Sequence, residues 1–274
     1  MTIENTIFSF PSIDPVAISF GPLQIRWYAL AYISAFMISW LFLKFQIKKS
    51  ISVLSEKNLE SLLNATLIGV IIGGRLGYVF FYNYNFYLSN LVEILKVWNG
   101  GMSFHGGFLG VCLAICFVSK KEHINLLKVS DEVALVAPIG LFFGRIANFI
   151  NAELYGKKTD FFLGIIFPNA GNFPRHPSQL YEAFFEGIVI FIILMYIRIK
   201  YKFIGLITFQ FIFLYGIFRF LIEFFREPDF HIGFIFSLNN INFTIGQTLS
   251  FPMILIGLIG IIKIKKQNNY DDNK

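Results

Sequence analysis

Charged residues are scarce in this chain of 274 residues. Asp, Glu, Lys and Arg make up 15% of the sequence, whereas a soluble domain carries roughly 25%. Apolar residues make up 55%, and the mean hydropathy is +0.63. This balance excludes an ordinary soluble domain and indicates an integral membrane protein. The net charge of +6 is then expected to anchor the protein at an anionic inner leaflet, and no nucleic-acid partner is expected.

The chain has few cysteines and no recognisable targeting signal. The two cysteines, Cys112 and Cys116, lie four residues apart in an apolar run, which favours packing over redox or metal chemistry. No Cys/His cluster has the spacing of metal ligands, so neither a metal nor a cofactor is expected. The first twenty residues lack a basic segment followed by an apolar core, so no cleavable signal peptide is predicted.

Seven apolar stretches are long enough to cross about 30 Å of hydrocarbon. They predict an all-α integral membrane protein in which residues 1–274 form a single polytopic domain. The segment of about residues 150–182, between the fourth and fifth spans, contains several prolines and predicts a small extracytoplasmic cap. The predicted spans are Leu23–Leu43, Leu62–Tyr82, Phe104–Val118, Val129–Phe149, Ala183–Ile199, Phe203–Phe225 and Phe243–Ile262.

Basic residues cluster on one side of these spans. They are dense after the first, third and fifth spans and in the C-terminal tail, and sparse in the other connections. The positive-inside rule therefore places the N-terminus outside and the C-terminus in the cytoplasm. The dense set is Lys44, Lys48, Lys49, Lys57, Lys120, Lys121, Lys128, Arg198, Lys200, Lys202, Lys263, Lys265, Lys266 and Lys274.

Four arginines interrupt the apolar spans, and this orientation places all of them in the outer half of the membrane. A charge at that depth costs about 2.5–3.5 kcal/mol, so four on one side predict an anion-binding pocket that opens to the outer leaflet. The alternative is that each arginine extends its side chain to the headgroups. The four are Arg26, Arg75, Arg145 and Arg219.

Glycines recur every four residues in three of the spans. Small residues at this spacing allow helices to approach closely, so these positions predict a tightly packed bundle. They are Gly69, Gly73 and Gly77 in the second span, Gly106 and Gly110 in the third, and Gly140 and Gly144 in the fourth.

Polar residues are densest at the end of the fourth span. Arg145 and Asn148 are three residues apart and share a helix face. An arginine beside an amide suits a phosphate or a carboxylate. Glu153 follows in a segment whose asparagines and glycine predict a helix break. It is expected either to orient Arg145 or to act as a general base.

A polar stripe runs down the sixth span. Its members are spaced so that they lie on one face of an otherwise apolar helix. They predict either part of the anion site or an Arg–Glu–Arg network that only stabilises the fold, because buried ion pairs alone are weak evidence of function. The stripe is Tyr215, Arg219, Glu223 and Arg226.

Two histidine segments border the spans. His105 stands at the start of the third span, near glycines that allow a ligand to approach the backbone. Histidine side chains titrate near neutral pH, which suits proton transfer, although a lone histidine is more often structural. The run His176–Glu182 leads into the fifth span. Ser178 is its predicted N-cap, and helix initiation alone explains this run.

Together these segments resemble the bacterial phosphatidylglycerol–prolipoprotein diacylglyceryl transferase family. The run Gly144–Gly156 is similar to the family's signature, with Gly-Arg at its start, then Asn-Phe, Asn, Glu and a closing Gly. Ala147 stands where the family also varies. The likeness extends from about residue 10 to residue 262, in the family's order. The other similar blocks are Arg26–Tyr28, Ser103–Gly107, His176–Glu182, and Arg219 with Glu223–Asp229.

The resemblance implies a seven-helix enzyme of the bacterial inner membrane, with its site facing the extracytoplasmic side. The family transfers the diacylglyceryl group of phosphatidylglycerol to the lipobox cysteine of a preprolipoprotein. The products are a thioether and glycerol phosphate, and the reaction is the first step of lipoprotein maturation. The expected partners are therefore phosphatidylglycerol, signal peptides with a lipobox cysteine, and membrane lipids.

This chemistry assigns roles to the polar residues. Negative charge builds on the leaving phosphate, and arginines placed in advance stabilise such charge in a water-poor site. Arg145 and Arg219 are expected to bind the lipid phosphate. Asn148 and Tyr28 are expected to position it, and Glu223 to orient Arg219.

The acceptor thiol must also become a thiolate. Its free pKa is about 8.5, so a nearby base or a strong positive potential is required. His105 is the candidate general base, and Glu153 is the runner-up.

Two other classes of protein stay open as alternatives. A carrier for an anionic lipid would have a similar arginine pocket, but the charges are confined to the outer half and no internal repeat is evident. An intramembrane protease needs a Ser–His pair, two intramembrane aspartates or a zinc motif. No span contains two aspartates or the pattern H-E-x-x-H.

Overall fold

The structure is a computed structural model that describes residues 8–11, 13–21, 23–168, 170–228, 234–238 and 241–272. Most of these residues are helical. The chain divides into two compact units. The major unit comprises Met1–Ser39 and Val133–Lys274, and the minor unit comprises Trp40–Glu132.

Helices follow one another through most of the chain, and the strands between them are short. The helices are α1 (Trp27–Lys48), α2 (Glu56–Phe81), α3 (Tyr84–Ser89), α4 (Phe104–Lys121), α5 (Leu126–Ile150), α6 (Ser178–Glu182), α7 (Ile190–Lys200), α8 (Leu206–Ile222) and α9 (Ile245–Asp272). A π-helix, Ala183–Val189, makes α6 and α7 continuous, and short 3-10 helices cover Leu91–Leu95 and Val97–Asn99. The strands are β1 (Phe8–Ser9), β2 (Val16–Phe20), β3 (Leu23–Arg26), β4 (Ile165–Ile166), β5 (Phe234–Leu238) and β6 (Ile241–Thr244).

The strands form two-stranded sheets, which the all-α prediction omits. β1 pairs with β4 in parallel, and β2–β3 and β5–β6 are antiparallel hairpins. Because β3 takes up the residues before Trp27, the first helix begins later than the predicted Leu23. Because β6 ends at Thr244, the last helix begins at Ile245 rather than at Phe243.

Each of the seven predicted spans overlaps a helix. Among the described residues, six helical segments are long and apolar enough to cross a membrane, including the continuous helix Ser178–Lys200. The helix that overlaps the sixth predicted span, α8, has only 17 residues. At 1.5 Å per residue it is about 26 Å long, which is shorter than the roughly 30 Å of hydrocarbon. A multi-pass membrane protein is therefore confirmed. The count of seven spans, the orientation, the single domain and the position of the cap stay predictions.

The minor unit is built on close packing of α2 against α4. A Cβ atom added to Gly77 would lie 2.8 Å from the Cα of Gly106, which is closer than side chains approach a backbone. Gly69 and Gly73 likewise face Gly106 and Gly110 across this interface. The predicted close approach is confirmed for these two helices.

The glycine pair on α5 behaves differently. Within the described parts of the chain, no atom outside the neighbouring residues and the local backbone of α5 lies within 4 Å of a Cβ added to Gly140 or Gly144. The predicted close packing at this pair is wrong, because α5 meets its neighbour at another position. A Cβ added to Gly187 would lie 2.7 Å from the Cβ of Phe142, so the small residue of this contact belongs to the π-helix.

Candidate active site

Two arginines predicted for the anion site are joined by a buried glutamate in the major unit. Glu182 Oε2 lies 3.3 Å from Arg145 Nε, and Glu182 Oε1 accepts a hydrogen bond from Arg219 Nη1. Glu186 Oε2 lies 3.5 Å from Arg145 Nη2. Both glutamate side chains are fully buried, whereas Arg145 and Arg219 keep 17% and 11% of their side chains exposed. These four residues are called the Arg–Glu cluster.

Glu223 holds the other side of Arg219. Its Oε2 lies 2.8 Å from Arg219 Nη2 and 3.8 Å from Arg226 Nη1. Thr244 Oγ1 donates a hydrogen bond of 2.9 Å to Glu223 Oε1. Gly246 leaves room for this carboxylate, because an added Cβ would lie 2.7 Å from Glu223 Cδ. The Arg–Glu–Arg part of the predicted stripe is therefore present as ion pairs at the end of α8.

The π-helix brings the second glutamate of the cluster to its arginine. Gly187 lets the backbone of the π-helix pack directly on Phe142 of α5. Arg145 lies three residues further along α5, on the same helix face, and Glu186 precedes Gly187. Close approach at this glycine therefore places Glu186 within reach of Arg145. π-Helical turns are rare and often occur at functional sites.

A second polar chain links the start of α1 to the end of α5. Asn148 Nδ2 donates hydrogen bonds to Tyr28 Oη and, at 2.8 Å, to Glu153 Oε1. Burial raises the pKa of the Glu153 carboxyl above its ordinary value. These three predicted site residues are called the Tyr–Asn–Glu chain. Glu153 thus contacts Asn148, while the carboxylates paired with Arg145 are those of the Arg–Glu cluster.

The loop after α5 that carries Glu153 is strained and held in place. Ala152 and Leu154 have φ angles of 52° and 56°, and such left-handed residues other than glycine cost of order 1–3 kcal/mol each. The fully buried Ser178 and Gln179 hold the loop. Ser178 Oγ donates to the Leu154 carbonyl at 3.0 Å, and Gln179 Nε2 donates to the Glu153 carbonyl at 2.6 Å. Ser178 is the first residue of α6, so its predicted role as N-cap is wrong.

Arg75 has a structural use inside the minor unit. Its guanidinium is buried and lies over the Tyr87 ring, 5.0 Å from the centroid. Main-chain carbonyl oxygens accept all of its described hydrogen bonds, so the predicted anion-binding role of Arg75 is wrong and the side chain holds the turns after α3. Arg26 is exposed in β3 rather than inside the first helix as predicted. The acceptors for Arg75 belong to Glu93, Ile94, Lys96, Gly100 and Gly101.

His105 lies in the minor unit, in the first turn of α4. Ser103 caps this helix by accepting a hydrogen bond of 3.3 Å from the Gly106 N–H. The imidazole is exposed and meets the Phe104 ring edge-on, with centroids 5.7 Å apart. An exposed imidazole is accessible to a substrate, and the role of His105 as a base stays a prediction.

Residues 15–263 match the family described as prolipoprotein diacylglyceryl transferase. The chain belongs to this family. It is 49% identical over 258 residues to the phosphatidylglycerol–prolipoprotein diacylglyceryl transferase of Rickettsia bellii, which covers 93% of this chain and 97% of the relative. It is 50% identical over 252 residues to the protein of that name from Rickettsia felis, which covers 91% of this chain and 96% of the relative.

Sequence reasoning misses two central residues of this member of the transferase family. Glu182 belongs to the run that initiates the fifth span, and no sequence motif indicates Glu186. Both lie within the apolar helix Ser178–Lys200. Carboxylates at that depth are about as costly as arginines. The signal that identifies them is their position, since Glu186 lies inside the predicted span Ala183–Ile199 and Glu182 immediately precedes it.

Proposed function

We propose that this protein transfers the diacylglyceryl group of phosphatidylglycerol to the thiol of the lipobox cysteine in a preprolipoprotein. The products are a thioether and glycerol phosphate, and the reaction is the first step of lipoprotein maturation. Membership of the family supports this function, as does about 50% identity over most of the chain to relatives of that name. The observation that carries the site is the bridge from Arg145 through Glu182 to Arg219.

The Arg–Glu cluster is the proposed phosphate site. As the bond between the glycerol carbon and the phosphate ester oxygen breaks, the phosphodiester becomes a monoester and gains negative charge. Fixed cations in a water-poor site stabilise such charge. A guanidinium carries five N–H donors, and the described ion pairs of Arg145 use Nε and Nη2. We assign its Nη1, which takes no part in these ion pairs, to a phosphate oxygen.

The buried carboxylates prepare this site before the lipid binds. Two guanidinium groups close together repel each other, and Glu182 offsets that repulsion by contacting both. Glu223 fixes the far side of Arg219 at 2.8 Å. The arginines are therefore oriented by protein carboxylates, and an incoming phosphate shares them with those carboxylates.

The thiol is activated by a base, for which we propose His105, with Glu153 as the alternative. The base takes the thiol proton, the sulfur attacks the glycerol carbon, and the electron pair of the broken C–O bond leaves with glycerol phosphate. The raised pKa of Glu153 makes its carboxylate a stronger base than an ordinary glutamate. Asn148, which is hydrogen-bonded to both Tyr28 and Glu153, positions the lipid headgroup together with Tyr28.

The proposed setting is the bacterial inner membrane, with seven helices and the active site on the extracytoplasmic side. The distribution of basic residues supports an N-terminus outside and a C-terminus inside. In this orientation α5 runs outward, so that Arg145, Asn148 and Glu153 approach the outer face in succession. The segment of residues 150–182 then forms the extracytoplasmic cap.

The test uses purified protein in liposomes that contain phosphatidylglycerol, together with a lipobox peptide. Mass spectrometry is expected to show the diacylglyceryl increment on the peptide cysteine. Arg145→Ala and Arg219→Ala should each reduce the rate by about 100-fold or more, while Lys263→Ala, which removes an exposed cation of α9, should leave it unchanged.

Two results would contradict different parts of the proposal. Normal turnover in both arginine variants would show that the Arg–Glu cluster does not bind the phosphate. Absence of the adduct with folded native protein would reject the transferase reaction itself, and a lipid flux assay in the same liposomes would then test the carrier alternative.

A further inference from the structure

A cleft of about 730 Å³ opens beyond the end of α5 in the major unit. None of the four residues of the Arg–Glu cluster lines it. Its wall combines apolar side chains, among them Ile13, Leu154 and Tyr155, with the ionisable residues Glu153, Arg175 and Glu227. The mechanism proposed above uses only Glu153 of these residues, so most of the cleft has no assigned role.

The cleft is continuous with the proposed reaction centre through Glu153. This residue lines the cleft and also accepts the hydrogen bond from Asn148. Its neighbours Ala152 and Leu154 are the strained left-handed residues of the loop. Since the buried Ser178 and Gln179 hold the loop carbonyls, this wall of the cleft is rigid before any ligand arrives.

The charges of the cleft select against an anionic headgroup. Arg175 is its only arginine or lysine among the described lining residues. That guanidinium is already used by the carbonyls of Ala170 and Gly156, each at 3.1 Å, and by Glu227 Oε2 at 2.9 Å. Because Arg175 and Glu227 compensate each other, the carboxylate of Glu153 is the remaining acidic group among the described lining residues. A neutral or basic ligand therefore suits the cleft, whereas a phosphate does not.

We propose that this cleft binds the extended, neutral or basic peptide segment next to the acceptor cysteine, an inference that rests on the proposed transferase function. Pockets for small ligands measure about 300–1,000 Å³, so the volume suits a few peptide residues and is small for a diacylated lipid. The lining residues of the loop follow the last residue of α5. A ligand there lies past the helix end, where the chain following a signal helix emerges.

A pair of matched leucine variants tests this assignment by kinetics. Leu154→Trp fills the cleft. Leu163→Trp is the control, because Leu163 does not line the cleft and its exposed fraction, 41%, is close to the 36% of Leu154. Leu154→Trp is expected to raise the KM for the lipobox peptide about ten-fold without changing the KM for phosphatidylglycerol. Leu163→Trp should change neither. An unchanged peptide KM in Leu154→Trp, or a raised KM for the lipid instead, overturns the inference.

A trapping experiment gives a readout that does not depend on turnover. Leu154→Cys and Leu163→Cys are each introduced into a protein without its native cysteines, Cys112→Ala and Cys116→Ala. The peptide carries serine in place of the acceptor cysteine and a new cysteine two residues later. Each variant is mixed with this peptide under oxidising conditions. Disulfide formation is expected at position 154 and not at 163, and excess cysteine-free peptide should compete. Equal trapping at both positions overturns the inference. Selective trapping by a protein that makes no thioether would reject the proposed function and keep the peptide cleft.

Discussion

The guanidinium of Arg219 and the carboxylate of Glu182 are hydrogen-bonded although the two residues lie 37 positions apart in the chain. The second oxygen of the same carboxylate lies 3.3 Å from Arg145 Nε. A single buried glutamate therefore sets the separation of the two cations assigned to the phosphate. The geometry of this site depends on a residue that contributes no positive charge to it.

Glu182→Gln is expected to reduce diacylglyceryl transfer by about 100-fold, because a displacement of about 1 Å in a positioned group has an effect of that order. The amide keeps the size of the side chain but loses the charge that balances two arginines. Turnover should fall and the KM for phosphatidylglycerol should rise together, measured by mass spectrometry at varied lipid concentration.

Glu186→Gln is the matched control for this variant. Its carboxylate is equally buried but its described ion pair is with Arg145 alone, at 3.5 Å, so a smaller loss of turnover is expected. Thermal unfolding in detergent separates folding from function, because breaking a buried ion pair destabilises by about 3–5 kcal/mol. If Glu182→Gln stays folded and turns over normally, the positioning role is refuted.

The identity of the base can be read from the pH dependence of turnover. His105→Gln is expected to reduce the rate by about 100-fold or more, the usual contribution of a general base. Glu153→Gln should lower the rate, but the rate of this variant should still decrease toward low pH. Rates are measured from about pH 5 to about pH 9 in liposomes at saturating peptide.

The opposite outcome would assign the proton transfer to the runner-up. Burial raises the pKa of Glu153, so its carboxylate ionises at a higher pH than usual and a rate that depends on it rises with pH through that raised pKa. Loss of the acid limb in Glu153→Gln, together with its retention in His105→Gln, would make Glu153 the base.

Local spacing predicts contacts within one helix far better than contacts between helices. Arg219 and Glu223 are four residues apart, and the structure pairs them at 2.8 Å, as helix geometry requires. The bridge through Glu182 joins different helices, and no spacing rule reports it. The sequence indicates which side chains are costly in a membrane, and the fold decides which of them meet.

Arg75 shows why a charge inside a span is not by itself a binding site. Its acceptors are backbone carbonyls of the turns after α3, including those of Ile94 and Gly101. Every residue type carries such a carbonyl, so the pattern of side chains cannot reveal these partners. The strands that precede Trp27 and Ile245 escape prediction for a different reason, since each has only four residues and leads directly into a long apolar helix.

The two kinds of glycine contact predict opposite effects of alanine. In Gly77→Ala the added Cβ would lie 2.8 Å from the Cα of Gly106, and overpacking of this kind destabilises by about 1–3 kcal/mol. Gly140→Ala adds a methyl group where no described atom lies within 4 Å, and alanine favours a helix over glycine by about 0.8–1 kcal/mol. Melting temperatures in detergent should therefore fall for Gly77→Ala and hold or rise for Gly140→Ala. Equal melting temperatures would contradict the described packing of α2 on α4.

The stability of the protein is expected to depend on pH through His176. Its ring packs edge-on against Phe225, with centroids 5.2 Å apart, and its Nδ1 lies 3.2 Å from Tyr181 Oη. Burial lowers the pKa of His176, so the folded protein binds this proton less readily than the unfolded chain, whose histidines titrate near about 6.5. The stability that this difference provides is full above the unfolded pKa and is lost as the pH falls through the lower folded pKa.

The melting temperature in detergent should therefore decrease with falling pH less steeply in His176→Phe than in the native protein. His123→Asn, at an exposed left-handed position that asparagine tolerates, should keep the native slope, and an unchanged slope in His176→Phe would exclude His176 as the titrating group.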